Sequence, residues 1–570
     1  MLPDFADAAA TPPNVLIVVA DDQGMGDFSC YGNPILKTPN LDRLREQCVR
    51  FTDFHVTPMC TPTRGELLSG LDAVRNGATS VTGGRSFMRP DVVTMPQMFA
   101  AAGYATGLFG KWHLGDNYPH RPTDRGFQKA VHVHGWGFTS APEFANTLTD
   151  GRYFEDNVEK RFKGYCTDFW FSRAIEWMGK QKSKKKPFLC YLPLTAPHIP
   201  LEAPKKYTAA YEALKLDSPK KYDNVGKGVV NFFGMIANID ENMARLEKFL
   251  QESGLRENTI LIYMTDNGGT AGVRVWNAGL RDGKTTFYDG GHRVPGWIRW
   301  PAGKLGQPRD LDSPVQAQDI LPTLLELCGV NAASGTRFDG VSLANMLRGQ
   351  GNVPERKLVV QYSRDKLKKW ECAVIWNQWR LVEGKELYDV KEDRAQVHDV
   401  AATMPEIVAQ MRAHYEKWWD QLKTSSDQFV TTSLGADAQP IVTLTSSDWK
   451  DIYADNARHV RQAIGGPRGG PWNVKIERAG EYEISLRRWP PEEDTALTAK
   501  NGEASRALPI AGGKLTIAGL NLSANSTPGD KAVTFHANLP AGSTQLHGWF
   551  VDATGKDLCG AFYATAARIK

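Results

Sequence analysis

The sequence predicts an α/β protein: a doubly wound mixed sheet flanked by helices, then a small antiparallel α+β subdomain and a β-rich C-terminal module. Three observations carry this. Residues Asn14–Ala20 (NVLIVVA) form a continuous, mostly β-branched run, the pattern of a strand buried on both faces. Thr259–Thr265 (TILIYMT) repeats it. Between the two, strand-like and helix-like segments alternate, which is the order of a wound sheet whose ligands sit beyond the carboxyl ends of its strands.

Taken in order, the stretch Met1–Asn14 (MLPDFADAAATPPN) has no apolar core, yet Ala6-Asp7-Ala8 has the small-residue form of a signal-peptide cleavage end. Residues 1–13 are therefore expected to be a tail left after signal-peptide removal, which places the protein in the periplasm or outside the cell. Ala105–Gly110 and Pro187–Leu194 read as strands, whereas Met95–Ala102 and Ile236–Ser253 carry helical apolar spacing. These belong to a core expected over 14–350. Short strand signals at Leu358–Tyr362, Cys372–Trp376, Trp379–Val382 and Glu386–Val390 precede a helix expected at Pro405–Leu422, giving an α+β subdomain over 351–425. The polar stretch Thr424–Pro440 leads to alternating segments at Tyr482–Arg487, Lys531–His536 and Leu546–Val551, read as a β-sandwich-like module over 440–570.

Composition narrows the function. The 570 residues are 41% hydrophobic and 23% charged, with 53 glycines and 33 prolines, as in a loop-rich globular enzyme. A net charge of +4 is too small and too dispersed for a nucleic-acid binder, though it allows a local anion pocket. No run of about 18 apolar residues occurs, so no membrane span is expected. The eight cysteines show no paired short spacing, which speaks against a zinc ribbon or a dense disulfide framework and leaves the redox compartment open.

Both buried runs end in acidic doublets, Asp21-Asp22 and Asp266-Asn267. The four residues offer only hard oxygen ligands, and the expected sheet brings them to one crevice, which suits Ca2+ or Mg2+ better than zinc. Either doublet alone has a plainer reading as turn-forming residues. Cys60 stands in MCTPTRG, four residues before Arg64 and ahead of a helix expected at Gly65–Ser69. A lone cysteine is ordinarily a small buried hydrophobe.

Cys60-Thr61-Pro62-Thr63-Arg64, however, resembles the Cys-x-Pro-x-Arg signature of the formylglycine-dependent type I sulfatases, arylsulfatase-like members of the alkaline phosphatase superfamily. Gly110–Gly115 (GKWHLG) resembles that family's second signature. The resemblance covers about residues 14–425 and takes in Asp21-Asp22, Ala196–Pro200 (APHIP), Asp266-Asn267-Gly268, Gly283-Lys284 and Glu386–Asp389 (ELYD). It implies an alkaline phosphatase-like core and a sulfuric ester hydrolase, with a bacterial polysaccharide or glycan sulfatase as the expected kind.

The chemistry it implies is specific. Cys60 would be converted by a formylglycine-generating enzyme to 3-oxoalanine (formylglycine), whose hydrate attacks sulfur. One Ca2+, with Mg2+ as the alternative, would be held by Asp21, Asp22, residue 60, Asp266 and Asn267, and would acidify the attacking hydroxyl. Arg64 would hold the nucleophile. His113 would take the proton of its second hydroxyl, so that the sulfated adduct collapses to aldehyde and sulfate. Lys111 and Lys284 would clamp sulfate oxygens, and His198, with Lys284, would protonate the leaving alcohol. Related phosphate and phosphonate hydrolases typically carry Asp-His at the second tip. Asp266-Asn267 offers no imidazole there and favours sulfate on one hard cation, with phosphate or phosphonate esters kept as the alternative.

Substrate contacts are sought in loops: His120-Arg121, His132, His134 and Trp136, Arg274 and Trp276, and Arg281. If extended, the 132–136 segment puts His132 and His134 on one face, and Trp136 could stack on a sugar; a purely structural loop is the competing reading. The tail resembles C-terminal β modules of some bacterial sulfatases, through Ala479–Tyr482, Leu486–Pro490 and Gly560–Tyr563. Packing support, carbohydrate binding and lining of the pocket mouth are all open to it. The expected substrate is thus a sulfated glycan, or a small (aryl) sulfate ester; a degenerate glycan-binding core is the non-enzymatic alternative.

Overall fold

A computed structural model describes residues 11–212, 226–425 and 428–570. Residues 1–10, on which the signal-peptide expectation rests, lie outside them.

A ten-stranded mixed sheet forms the core, in the order Asp310–Leu311, Val49–Phe51, Gly296–Arg299, Thr259–Thr265, Asn14–Ala20, Phe188–Pro193, Ala105–Lys111, Lys129–Val133, Arg152–Glu155, Val158–Arg161. The five strands from Thr259–Thr265 to Lys129–Val133 run parallel. Alternation along the central strand explains why its sequence is apolar throughout. Val15, Ile17 and Val19 enter one core with Leu67, Met98 and Leu324. Leu16, Val18 and Ala20 enter the other with Trp170, Met235 and Leu246. Helices Cys60–Ser69, Met95–Ala101 and Ile320–Cys328 cover the first face, and Pro39–Glu46, Cys166–Ser183 and Gly226–Glu252 the second. Each fully buried aliphatic side chain contributes about 1.5–3 kcal/mol by leaving water.

Beyond this core, Leu358–Gln361, Cys372–Trp376, Trp379–Val382 and Glu386–Asp389 form a four-stranded antiparallel sheet. Helix Pro405–Leu422 packs on it through Met411 and Tyr415. Two more sheets follow, one built on Gly512–Ile517 and Gly542–Val551 and one on Ile441–Thr445, Gly480–Arg487, Val533–Leu539 and Tyr563–Arg568. They share one apolar core containing Trp472, Ile484 and Phe535, which also takes in Ala141 and Phe144 from the first half of the chain. No helix among the described residues is long and apolar enough to cross a membrane.

Candidate active site

Strand order builds the site. Asn14–Ala20 lies between Phe188–Pro193 and Thr259–Thr265, with Ala105–Lys111 one strand further on. Ala20 is paired with Thr265, so Asp21 and Asp266 leave the sheet side by side. Lys111 ends its strand and His198 follows the end of Phe188–Pro193, at the same sheet edge. The helix expected from Gly65 begins at Cys60, not at Gly65. Pro62 is the third helical residue, where a missing N–H breaks no intrahelical bond, so proline is no obstacle. Cys60 and Arg64, four apart, share one helix face. Gly110 permits the close approach that aims Lys111: at φ +133° a Cβ there would lie 1.9 Å from the Pro193 carbonyl oxygen.

The side chains converge. Arg64 donates through Nε (3.0 Å) and Nη2 (2.7 Å) to Asp266 Oδ2, and through Nη1 to the Lys111 carbonyl (3.0 Å). Lys111 Nζ donates to Asp21 Oδ2 at 2.7 Å. Lys284 Nζ pairs with Asp22 Oδ1, which also accepts from Asn267 Nδ2 at 2.9 Å. Cys60 Sγ lies 3.5 Å from His113 Nδ1, and Thr61 Oγ1 donates to the His113 carbonyl at 3.2 Å. His198 Nε2 is 3.8 Å from Asp22 Oδ2, and its Nδ1 is 2.9 Å from the Ile199 carbonyl. Asp22 (φ +70°) and His113 (φ +59°) are held in the left-handed region, a strain of about 1–3 kcal/mol each that is characteristic of functional positions.

Burial sets the electrostatics. It raises Asp21, helped by the Asp266 charge, to about 7 against the pull of Lys111. Burial acts the same way on Asp22, but the Lys284 ammonium, with His198 and Asn267, outweighs it and holds that carboxyl below the usual range. Lys284 is in turn held above its ordinary value by Asp22 despite burial. Burial, then the cations Lys111 and Arg64, push His113 well below the usual imidazole value. His198 is pushed down to about 3 by burial, with Lys111 and Lys284 outweighing Asp22.

Fit to a cation rests on oxygen atoms left over. Among the described residues, Asp21 Oδ1 and Asn267 Oδ1 are buried without a hydrogen-bond partner, unlike most buried polar atoms. Ligand atoms of Asp21, Cys60 and Asp266 lie within 4.8 Å of one another, as do those of Asp21, Asp22 and His198. An oxygen-rich, buried donor set of this kind fits one hard dication.

The remaining sequence candidates divide. The Trp136 ring stands 5.3 Å from that of His198, at the site. His134 lies 5.5 Å from His132, as an extended segment requires, but stacks on Phe154 at 3.5 Å, and His132 is buried within the sheet. Arg281 sits 3.7 Å over the Tyr288 ring and donates to Tyr388 and Gln396, so its guanidinium is committed to packing. Arg274 is exposed, with no partner among the described residues bringing it to the crevice. His120 stacks on Phe87 and Arg121 is bound to Asp124; both are structural. Three residues went unread in the sequence. Tyr362 packs against Cys60 from the antiparallel sheet. Asp116 and Asp448 join His113 and Trp136 around one recess. Neither belongs to a spaced motif; only the adjacency of Asp116 to GKWHLG was a signal.

A family model described as Sulfatase matches residues 13–330, more than half of the chain. Human (Homo sapiens) arylsulfatase A is 30% identical over 387 residues, covering 62% of this chain and 71% of that protein. Dog (Canis lupus familiaris) N-acetylgalactosamine-6-sulfatase is 26% identical over 411 residues, covering 66% and 75%. Among solved structures, Ps i-CgsB in complex with k-i-k-neocarrahexaose superposes with TM-score 0.65 at 25% identity, over 74% of this chain and 95% of that one. Phosphonate monoester hydrolase of Agrobacterium radiobacter, at 21% identity and TM-score 0.53, covering 73% and 96%, shares the fold. With the motif residues converging at one sheet edge and the family model spanning that core, the chain belongs to the sulfatase family and is a sulfuric ester hydrolase.

Proposed function

We propose that the protein removes O-sulfate from a sulfated carbohydrate, with residue 60 acting as formylglycine beside a single Ca2+. The observation that carries this reading is the convergence of Cys60, Arg64, Lys111, His113, His198 and Lys284 on the crevice of Asp21, Asp22, Asp266 and Asn267. The last four residues, with residue 60, would hold the cation. When bound, a hard dication supplies positive charge that acidifies a neighbouring hydroxyl and steadies developing negative charge.

The chain's own groups do the rest. Arg64, fixed by Asp266 and the Lys111 carbonyl, orients residue 60 one helical turn away. His113 is neutral, so Nδ1 can accept a proton from residue 60. Lys111 and Lys284 bind the sulfate oxygens as fixed cations in a water-poor cleft. His198 gives its Nδ1–H to the Ile199 carbonyl and so turns Nε2 to the crevice, where that nitrogen, once it has taken a proton from solvent, can pass it to the departing oxygen. Lys284, which keeps its proton at neutral pH, stays a cation beside it and steadies the negative charge building on the departing oxygen.

Two similar proteins support a glycan substrate: one is named N-acetylgalactosamine-6-sulfatase and one was solved with k-i-k-neocarrahexaose. A periplasmic or secreted location and a formylglycine-generating partner belong to the same reading. The test is ion chromatography of sulfate released from N-acetylgalactosamine 6-sulfate and k-i-k-neocarrahexaose by protein co-expressed with a formylglycine-generating enzyme. p-Nitrophenyl sulfate and p-nitrophenyl phosphate are compared in parallel. Sulfate release ahead of phosphate is expected; faster phosphate release would replace this reading with the phosphate or phosphonate ester one.

A further inference from the structure

The C-terminal sheets dock onto the loops that carry the site. Trp136, the neighbour of His198, donates its indole N–H to the Asp455 carbonyl at 3.1 Å. Tyr563 Oη donates to the Ala141 carbonyl at 2.7 Å, and Asn117 Nδ2 to the Thr443 carbonyl at 2.9 Å. Phe144 is buried in the tail's own apolar core, 5.7 Å from the Trp489 ring. Two cavities follow from this docking. A narrow recess brings Ser447 and Asp448 of the tail face to face with His113, Asp116 and Trp136. Through the same Asp116 and Asp448 it adjoins a cavity of about 380 Å3, walled by residues 116–159 on one side and by the tail on the other. That volume is in the range of small-molecule sites.

The lining decides what fits. The His134–Phe154 stack and Pro490-Pro491 offer flat apolar faces suited to a sugar ring. Asp448 has no hydrogen-bond partner among the described residues, and Asp116 is held only by the Gly135 N–H, so both have acceptor capacity to spare. The two arginines on the wall are spent: Arg121 on Asp124 at 2.8 Å and Arg152 on Glu492 at 3.0 Å. Burial raises Asp116 to about 7, and burial with the Asp116 charge lifts Asp448 well above its ordinary value, so near neutrality the pair can both accept and donate. No cation in the described lining is free to neutralise an anionic ring.

We propose that this cavity is a glycan subsite holding an uncharged sugar ring beside the sulfated one, with Asp116 and Asp448 binding its hydroxyls and the C-terminal module supplying half its wall. The proposal rests on the sulfated-carbohydrate reading above and adds the chemistry of the adjoining unit. Sulfated or uronic rings are disfavoured there, and only the sulfate bound at Lys111 and Lys284 is neutralised.

The test is calorimetric titration of the full-length protein with two unsulfated probes: chemically desulfated neocarrahexaose, which is neutral, and desulfated chondroitin hexasaccharide, which carries uronates. The neutral probe is expected to bind at least tenfold more tightly. Asp448→Ala weakens it about tenfold, and Asp448→Lys moves the preference toward the uronate probe; unchanged thermal midpoints show that the variants are folded. If Asp448→Lys fails to fold, Asp448→Asn replaces it and is expected to narrow the preference. Absence of neutral-probe binding, equal binding of the two probes, or binding indifferent to Asp448→Ala overturns the proposal. Neither probe needs a working residue 60, so failure to release sulfate from any substrate would overturn the hydrolase reading alone.

Discussion

Two buried ionic clusters are made from similar residues, and they are finished differently. In the first, Arg380 donates to Asp289 (3.0 Å) and Asp53 (2.6 Å), and Arg293 adds a bond to Asp289 (3.1 Å). His55 meets Asp53 at 3.0 Å and shares a 2.9 Å contact with His292. His55, Asp289 and His292 are close enough to hold a metal, but their ring nitrogens and carboxylate oxygens are already occupied, and two guanidiniums balance the two carboxylates. In the second cluster, Asp21, Asp22 and Asp266 meet Arg64, Lys111 and Lys284, yet Asp21 Oδ1 and Asn267 Oδ1 are left over. Charge count does not separate a clasp from a site; surplus acceptor atoms do.

The sharpest way to break the comparison is to remove one member from each cluster. Cys60→Ala should lower kcat/KM at least about a thousandfold while the thermal midpoint moves little, because the lost group is the reacting one and a single small side chain leaves the contact with Tyr362. Arg380→Ala should do the reverse. It strands Asp53 and Asp289 in a buried setting and should cost about 3–5 kcal/mol in denaturant titration.

Calcium separates the clusters without mutation. At a hundredfold excess over its Kd it should stabilise the folded chain by about 2.7 kcal/mol, seen as a higher thermal midpoint that a chelator reverses. Asp21→Asn should erase that shift. The smallest effect is expected with acid. Asp53 and Asp289 are both held below the ordinary carboxylate range; burial opposes this, and the Arg380 guanidinium leads the groups that outweigh it. A depressed folded pKa means that stability is fully present above about pH 4 and lost as pH falls through the folded value. Unfolding free energies from urea titration should therefore drop by about 1–2 kcal/mol between pH 5 and 3, and less in a folded Asp53→Asn variant.

What was legible follows from how each element is buried. Asn14–Ala20, Thr259–Thr265, Cys372–Trp376, Trp379–Val382 and Pro405–Leu422 stand where their patterns put them, because each has a continuous or strictly periodic apolar signal. The long helix begins at Gly226, ten residues before the expected start, since packing of Val229, Phe232 and Phe233 overrides three local glycines. Strand Val158–Arg161 was missed because all four of its residues are exposed and carry no alternation. Thr432–Leu434, inside a stretch read as polar linker, is a parallel edge strand beside Trp472–Ile476, a pairing no local pattern encodes.

The site divides along the same line. Cys60, Arg64, Lys111 and the two acidic doublets were readable because short motifs fix them at strand and helix ends. Arg281 has the composition of a ligand residue but is drawn off by Tyr288 and Tyr388. Asp116 and Asp448 meet only through docking of the tail. Relations between distant segments lie in packing, and neither spacing nor propensity carries them.

The most direct test of the central claim is peptide mass spectrometry of Phe51–Arg64, the tryptic fragment containing Cys60, from protein co-expressed with a formylglycine-generating enzyme and assayed for sulfate release in the same preparation. The account predicts the aldehyde at residue 60, with sulfate turnover rising in proportion to the converted fraction. An unmodified thiol in fully active protein, or despite a competent generating enzyme, would contradict it.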